Sequence, residues 1–302
     1  MICWVHDAPG REASGPPPEG WTVEDYPSAD SEAWSRDRDQ VQVVIPEYVD
    51  GLDLDALPAL RLVQTRTAGV DWILGLIPDG VTLCDASGAR NGAMAEWVVA
   101  AILADYKRAR TYAEIQAEHR WEHIDDLLDV NGARVLILGF GAIGRAVEER
   151  LTPFGTSFVR VARTGRDAVR AVADLPSLLP DADVIINLLP LTDGTRGLLG
   201  AEMLSLMHDG ALFVNAGRGA TVDTAALVDE LRAGRIRAVL DVVDPEPLPA
   251  DHPLWTLSGV ILSPHSAGDT IGAERAAWQL AWEQLHRYAA GEPLLNVVSD
   301  GY

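Results

Sequence analysis

The sequence predicts an α/β protein built on a doubly wound parallel sheet, with a smaller α/β unit ahead of it. Three observations carry this. The apolar run 135–138 passes directly into Gly139-Phe140-Gly141-Ala142-Ile143-Gly144 and then into a helical pattern over 145–151. Beyond that turn, short apolar runs alternate with helical stretches, the order that gives right-handed crossovers. Before it, short apolar runs recur among loops, with no internal repeat and no low-complexity segment.

In chain order, residues 1–93 read as one unit. Strands are expected at 2–5, 41–45, 60–64 and 81–84, because each is a compact run rich in β-branched or other apolar residues. Residues 11–20 are rich in Pro and Gly and read as loop. The strand at 60–64 is followed by Thr65-Arg66-Thr67-Ala68-Gly69-Val70-Asp71. Loops at the carboxyl ends of parallel strands are where such sheets bind ligands, although this one also reads as a plain strand-to-helix connection. Ser87-Gly88 and Gly92 offer a hinge. Residues 91–117 follow a helical pattern, with Trp97, Ala100, Ala101 and Ala104 at helical spacing. Residues 118–131 are polar and irregular, and His119, Trp121 and His123 read as exposed loop residues.

After Gly144 the expected strands are 157–161, 184–188, 211–214, 238–242 and 260–262. Their loops fall on one edge of the sheet. Residues 273–290 form an amphipathic helix with Trp278 and Trp282, stopped by Gly291 and Pro293. The tail 294–298 is suited to adding a strand to the first unit.

Composition narrows the function. At 302 residues the chain can bury two proper cores, and its 48% hydrophobic content is ordinary for a soluble protein. Two cysteines, Cys3 and Cys84, cannot build a disulfide framework, and no Cys/His cluster has metal spacing, so no metal is expected. The first residues lack a basic start and a long apolar run, so a cytoplasmic location is expected. The formal net charge of −21 argues against nucleic acid and anionic membranes as partners. It also means that any anionic ligand needs a local arginine cluster.

The turn at 139–144 has the chemistry of a dinucleotide site. Gly139 permits the tight turn, Gly141 lets backbone approach a pyrophosphate, and Gly144 lets helix pack on strand. The first N–H groups of the helix then hold phosphates. A plain glycine-rich turn is the ordinary alternative. At the end of the second strand, an acid would bind a free ribose 2′-hydroxyl. Here the chain reads Val161-Ala162-Arg163-Thr164-Gly165-Arg166, and the first acid is Asp167. Arginines there suit a 2′-phosphate, hence NADP (NADPH) in preference to NAD, with NAD still possible.

Three further loops concentrate unusual polar residues. Asn215-Ala216-Gly217-Arg218-Gly219 sets an arginine between glycines. Asp241-Val242-Val243-Asp244-Pro245-Glu246-Pro247-Leu248-Pro249 sets acids among prolines. Ser263-Pro264-His265-Ser266-Ala267-Gly268 sets a histidine just past the last strand. Taken singly, Arg218 reads as a surface ion pair, Glu246 as a solvated acid and His265 as an ordinary loop histidine. Together on one sheet edge they supply what hydride transfer to a 2-keto acid needs. A fixed cation binds the carboxylate and polarises the carbonyl, a proton donor meets the nascent alkoxide, and a carboxylate orients that donor.

These four motifs, with Phe154-Gly155 and Ala220-Thr221-Val222-Asp223, closely resemble the D-isomer-specific 2-hydroxyacid dehydrogenases. The likeness covers residues 58–298, in the family's order. It implies a Rossmann nucleotide domain over 94–266. It implies a flavodoxin-like substrate domain made from both chain ends, residues 1–93 and a returning helix and tail over 267–302. It implies that Arg218 binds substrate, that Glu246 pairs with His265 as general acid/base, and that Ala68, Gly69 and Val70 bind the substrate carboxylate. Cofactor contacts are implied for Gly139, Gly141, Ala142, Ile143, Gly144, Arg163, Thr164, Leu189, Pro190, Thr195, Ala216, Gly217, Asp241, His265, Ala267 and Gly268, with Asp241 near the nicotinamide. A homodimer is usual in the family. The Arg163-Thr164 pair resembles members that reduce glyoxylate or hydroxypyruvate with NADPH; other members act on phosphoglycerate.

Two departures stand out. Glu148 occupies a helix position where the family often has alanine, and it is expected to point outward because a carboxylate against the sheet is costly. The first 55 residues resemble the family only in general character. Three rival readings remain at this point. Formate dehydrogenases of this type resemble the family but carry glutamine where Glu246 stands, which argues against formate; phosphite oxidation on the same scaffold is harder to set aside. A dinucleotide-sensing binding protein would need no Arg218, Glu246 and His265 set, and fold alone never proves activity.

Overall fold

The computed structural model describes residues 1–6, 15–47 and 51–299. The loop expected at 11–20 lies outside the described residues as far as 14. The chain divides into two compact units, Met1–Arg90 with Asp269–Tyr302, and Asn91–Gly268.

The first unit holds a five-stranded parallel sheet: β1 (Ile2–Val5), β2 (Thr22–Asp25), β3 (Val41–Ile45), β4 (Leu62–Gln64) and β5 (Thr82–Cys84). The order β2-β1-β3-β4-β5 is flavodoxin-like, and it reverses between β1 and β3. All four residues of β1 are buried, as befits a strand covered on both faces. Trp4, Val44, Val63 and Leu83 pack on one side with Trp34 of α1 (Glu32–Asp37), whose Ser31 cap accepts the Trp34 amide. Cys3, Val5, Val43, Ile45 and Leu62 pack on the other, under Trp278, Ala281, Trp282 and Leu285 of the C-terminal helix Ile271–Ala290. That helix ends at Gly291 in the left-handed conformation, as its sequence predicts. The tail does not form the expected strand. It contributes one antiparallel bridge, Val297 to Cys84, with the Val298 amide donating to the Leu83 carbonyl at 2.9 Å.

The second unit holds seven parallel strands: β6 (Arg134–Leu138), β7 (Ser157–Ala162), β8 (Val169–Ala171), β9 (Val184–Asn187), β10 (Leu212–Asn215), β11 (Arg237–Leu240) and β12 (Val260–Leu262). Their order, β12-β11-β10-β9-β6-β7-β8, reverses between β6 and β9. It is the Rossmann arrangement with one strand added. Side chains alternate between faces as strand geometry requires. Leu136, Leu138, Ile185 and Phe213 enter one core; Val135, Ile137, Val184 and Val214 enter the other.

Two helical expectations change. The single pattern over 91–117 is two helices, α2 (Asn91–Tyr106) and α3 (Ala109–Ala117), broken at Arg108 in the left-handed region, φ 54°. Lysine and arginine favour helix, so sequence gives no break signal here; tertiary contacts impose one. The Leu128 amide donates to the Tyr106 carbonyl at 3.0 Å, and Arg108 pairs with Asp126 at 2.6 Å. The buried stripe of α2 runs through Ala95, Val98, Ala101, Ile102 and Asp105, and Ala100 is exposed. A helix apolar almost all round does not reveal its phase. His119, Trp121 and His123 are exposed, as expected.

Glu148, on α4 (Ala142–Leu151), does not point outward. It forms a bidentate pair with Arg160 of β7, both contacts at 2.6 Å, and its side chain is about a fifth exposed (21%). The partner strand supplies the compensating cation that makes this inward lean tolerable. Among the described residues no helix is long and apolar enough to cross a membrane, and no group of His, Cys, Asp and Glu could hold a metal ion.

Candidate active site

In the second unit, the glycine turn joins β6 to α4. Gly139 has φ 89°, and a Cβ there would sit 2.7 Å from the Leu188 carbonyl oxygen. No other residue fits. A Cβ at Gly144 would press at 3.2 Å on Ile137 and on the Gly139 carbonyl, so helix and strand pack closely here. At Gly141 a Cβ would meet nothing within 4 Å, which leaves the backbone open at the start of α4. Ala142, Ile143 and Gly144 form the first turn of that helix.

The other expected cofactor residues lie at carboxyl ends of the same sheet. Arg163 and Thr164 are exposed in the turn after β7. Leu189 and Pro190 follow β9, and the Thr195 hydroxyl closes their loop by donating to the Pro190 carbonyl at 2.6 Å. Ala216 and Gly217 follow β10 and are buried. A Cβ at Gly217 would meet the Leu189 carbonyl at 2.7 Å.

The 241–247 turn and the 263–268 loop bring the acid and the histidine together. His265 Nδ1 and Glu246 Oε2 lie 2.9 Å apart. Glu246 Oε1 accepts the Val243 amide at 2.9 Å, which fixes the carboxylate. The His265 side chain is about half exposed (52%), so its other ring nitrogen can meet a ligand. The hydrogen bond to Glu246 raises the His265 pKa above its ordinary value, against burial and against the nearby Arg218 charge. For Glu246, burial alone would raise the pKa. The bonds from His265 and Val243, with the His265 and Arg218 charges, outweigh it, and the net shift is downward. The Arg218 charge therefore acts on both members of the pair. Its side chain is part-buried, with Nη1 donating to the Gly217 carbonyl at 2.9 Å.

Asp241 is buried at the end of β11, 3% exposed. Its carboxylate is committed to the histidine loop. Oδ1 accepts Ser263 Oγ at 2.6 Å, the Ser266 amide at 2.9 Å and the Ala267 amide at 3.1 Å; Oδ2 accepts the Ala267 amide at 3.0 Å. The Asp241 carbonyl also accepts the His265 amide at 2.8 Å. His265 itself has φ 53°, in the left-handed region, and this anchoring holds it there.

Sequence reasoning missed a buried polar cluster beneath Arg218, formed by Asn187, Asn215 and Thr221. The available signal was an asparagine closing each of two otherwise apolar strands, Ile185-Ile186-Asn187 and Phe213-Val214-Asn215. In the sequence Gly219 reads only as one of the two glycines flanking Arg218. A Cβ there would run into the Val243 carbonyl, so the 217–221 loop lies directly against the turn that carries Glu246.

In the first unit, considered by itself, Ala68 and Gly69 are part-buried and Val70 is buried in the loop after β4. The Gly69 carbonyl accepts Thr67 Oγ1 at 2.8 Å and Trp72 Nε1 at 3.2 Å. Arg66, which the sequence reading left without a role, is 5% exposed, stacks on Trp278 and pairs with Glu274 and Glu47.

Comparison with known proteins places this arrangement. Residues 99–267 match the family model for the NAD binding domain of the D-isomer specific 2-hydroxyacid dehydrogenases. A glyoxylate reductase from Aeropyrum pernix is 33% identical over 286 residues, 88% of this chain and 84% of that one. A D-isomer specific 2-hydroxyacid dehydrogenase from Xanthobacter autotrophicus, solved with NADPH and MES, is 30% identical. It superposes with a TM-score of 0.84 over 99% of this chain and 98% of that one. An NADPH-dependent glyoxylate/hydroxypyruvate reductase from Sinorhizobium meliloti, solved with NADP and sulfate, is 27% identical, with a TM-score of 0.85 over 99% and 98%. The motifs, the fold and these relatives agree, and the chain belongs to the D-isomer specific 2-hydroxyacid dehydrogenase family.

Proposed function

We propose that the protein reduces a small 2-keto acid of the glyoxylate or hydroxypyruvate type, with NADPH as preferred cofactor. The observation that carries this is the Glu246–His265 pair at 2.9 Å with the Arg218 charge beside it. The glycine turn fits a dinucleotide, since Gly139 at φ 89° makes the tight turn and Gly141 leaves open backbone at a helix start. A bound nicotinamide supplies the hydride. Everything else is asked of the chain. Arg218 grips the substrate carboxylate and polarises the carbonyl, as a planar, permanently charged fork can. His265, whose protonated form Glu246 favours, gives its proton to the carbonyl oxygen as that oxygen becomes an alkoxide. Asp241 acts through the loop it anchors. In the first unit, taken as the substrate domain, the backbone of Ala68, Gly69 and Val70 is the loop that the family resemblance assigns to substrate binding. Arg163 and Thr164 take the 2′-phosphate.

Glu246 favours this reading over formate oxidation, which has no proton to exchange with an acid/base pair. We further propose a homodimer. Trp121 is fully exposed and Leu127 and Leu128 are partly so, all on one segment of the second unit. Reduced Cys3 and Cys84 support the cytoplasm.

The decisive experiment follows NADPH absorbance with a panel of keto acids in the parent and in His265→Ala. Loss of a general acid costs about 10²–10⁴-fold in rate, so kcat should fall by that factor while NADPH still binds. No turnover by the parent with any 2-keto acid, or near-parental kcat in the variant, refutes the proposal. Light scattering of the purified protein tests the dimer, and a monomer mass at micromolar concentration refutes it.

A further inference from the structure

Two strand ends and one loop meet in a polar relay that the reaction itself does not require. Asn187 closes β9, Asn215 closes β10, and Thr221 sits on the turn after Arg218. They are 0%, 2% and 0% exposed. Asn187 Nδ2 donates to Asn215 Oδ1 at 3.0 Å and to Thr221 Oγ1 at 2.8 Å. Thr221 Oγ1 donates onward to the Arg218 carbonyl at 2.7 Å. Asn215 Oδ1 also accepts the Gly217 amide at 3.2 Å, and Asn187 Oδ1 accepts the Leu189 amide at 3.3 Å.

Three polar side chains in an apolar sheet are costly to bury, and apolar residues of similar size would fill the space. Here the side chains bond one another and, through Asn215 and Thr221, the backbone around Arg218. One arm of Asn187 holds the loop after β9 at Leu189. The other reaches the loop around Arg218, through Asn215 to the Gly217 amide and through Thr221 to the Arg218 carbonyl. Arg218 is flanked by glycines, whose backbone is intrinsically soft, so bonds to the neighbouring peptides help to fix where the arginine starts.

We infer that Asn187 and Thr221 are positioning residues for Arg218, fixing the arginine's backbone in register with the β9 loop. This rests on the reading of Arg218 as substrate clamp. Thr221→Val keeps the shape and removes the hydroxyl, so Asn187 loses an acceptor and the Arg218 carbonyl loses its shortest donor, keeping only the longer bonds from the Thr221 amide at 3.3 Å and Asn215 Nδ2 at 3.5 Å. A clamp displaced by a fraction of an ångström costs orientation.

The test measures kcat and KM for glyoxylate, NADPH affinity by calorimetry, and Tm, in Thr221→Val, Thr221→Ser, Arg218→Lys and the Thr221→Val/Arg218→Lys double variant. The relay predicts that Thr221→Val raises KM for the keto acid by about tenfold or more, with NADPH affinity within about twofold of the parent. Thr221→Ser, which keeps the hydroxyl, should restore KM to within about threefold. The double variant should be little worse than Arg218→Lys alone, because the two changes act on one group. Should Thr221→Val fail to fold, Thr221→Cys keeps the volume with a weak hydrogen-bonding group, and it should show a smaller KM rise of the same kind. A lowered Tm with parental KM in the folded variant, or no rescue by serine, overturns the relay. If Arg218→Lys is itself as active as the parent, the clamp reading fails, and the inference falls with it. An Arg218→Lys defect beside a silent Thr221→Val refutes the relay alone.

Discussion

Replacing Asp241 by asparagine should test the anchoring of the catalytic loop more directly than any change to the histidine. The side chain keeps its size, so packing is not at issue. Orienting the amide oxygen at the Oδ1 position retains the bonds from Ser263 Oγ, the Ser266 amide and the Ala267 amide. It then places an NH2 against the Ala267 amide that Oδ2 now accepts at 3.0 Å, donor facing donor. Flipping the amide is worse, since the Ser266 and Ala267 amides then face the NH2 and only the Ser263 hydroxyl can turn to accept from it. In the better orientation three charge-assisted bonds become neutral, a loss of about 1 kcal/mol each and about 3 kcal/mol in all. For a cooperative unit of this size, 1 kcal/mol moves Tm by about 2–4 °C, so scanning calorimetry should show a fall of about 6–12 °C. The loss is buried and should change little between low and high salt. The same substitution should lower kcat by at least about tenfold, because His265 is held at positive φ by this loop. A Tm within about 2 °C of the parent, or a lowered Tm with parental kcat, would refute the view that Asp241 holds the histidine in place.

Glu246→Gln should move the alkaline limb of kcat/KM for reduction to lower pH. The carboxylate raises the His265 pKa above about 6.5, and with it gone burial lowers it, so the acid is lost earlier as pH rises; superimposable profiles would rule out the coupling. The pair also contributes stability that is present below the unfolded histidine pKa, fades as pH rises through the folded one, and fades again in acid as Glu246 protonates. Arg163→Ala should erode a preference for NADPH over NADH of about ten- to several-hundred-fold, one to three steps of 1.4 kcal/mol, and salt should erode the parent's preference too; an NADH preference in the parent, or an unchanged ratio in the variant, counts against the arginine. Gly219→Ala should cost about 3–5 kcal/mol or prevent folding, since its methyl group meets the rigid Val243 carbonyl; a parental Tm would mean that the loop and the 241–247 turn part easily.

Buried strands and glycine-marked turns were readable in the sequence. Ile2–Val5, Val41–Ile45 and Val260–Leu262 have the bounds their apolar runs imply; Ile2–Val5 is buried throughout, as a strand covered on both faces must be. Thr22–Asp25 was not readable. It is an edge strand with partly exposed Val23 and Glu24, and an edge needs no apolar signature. The same holds for Val169–Ala171 at the far end of the other sheet. Glu148 misled because its compensating partner, Arg160, is distant in sequence. His265, Glu246 and Arg218 announced themselves as polar residues in glycine- and proline-marked loops. Asn187 lies hidden because the side chains it bonds, Asn215 and Thr221, are 28 and 34 residues away in sequence, and Thr221 because its onward partner is a backbone carbonyl, which leaves no trace in a one-dimensional pattern.

The C-terminal helix has a bearing on how the chain is made. Trp278, Ala281, Trp282 and Leu285 cover the face of the first sheet lined by Cys3, Val5, Val43, Ile45 and Leu62. The last strand of that sheet ends at Cys84, and its cover begins at Ile271. On a ribosome adding about 5–20 residues per second, that face waits about 10–40 s for its lid. Throughout that interval the intervening Rossmann unit emerges with all its strands contiguous and can close its own core. Vectorial synthesis therefore orders the folding against the numbering, with the second unit finished first and the amino-terminal sheet last. During the wait the nascent first sheet displays an aliphatic face of the kind that chaperones bind.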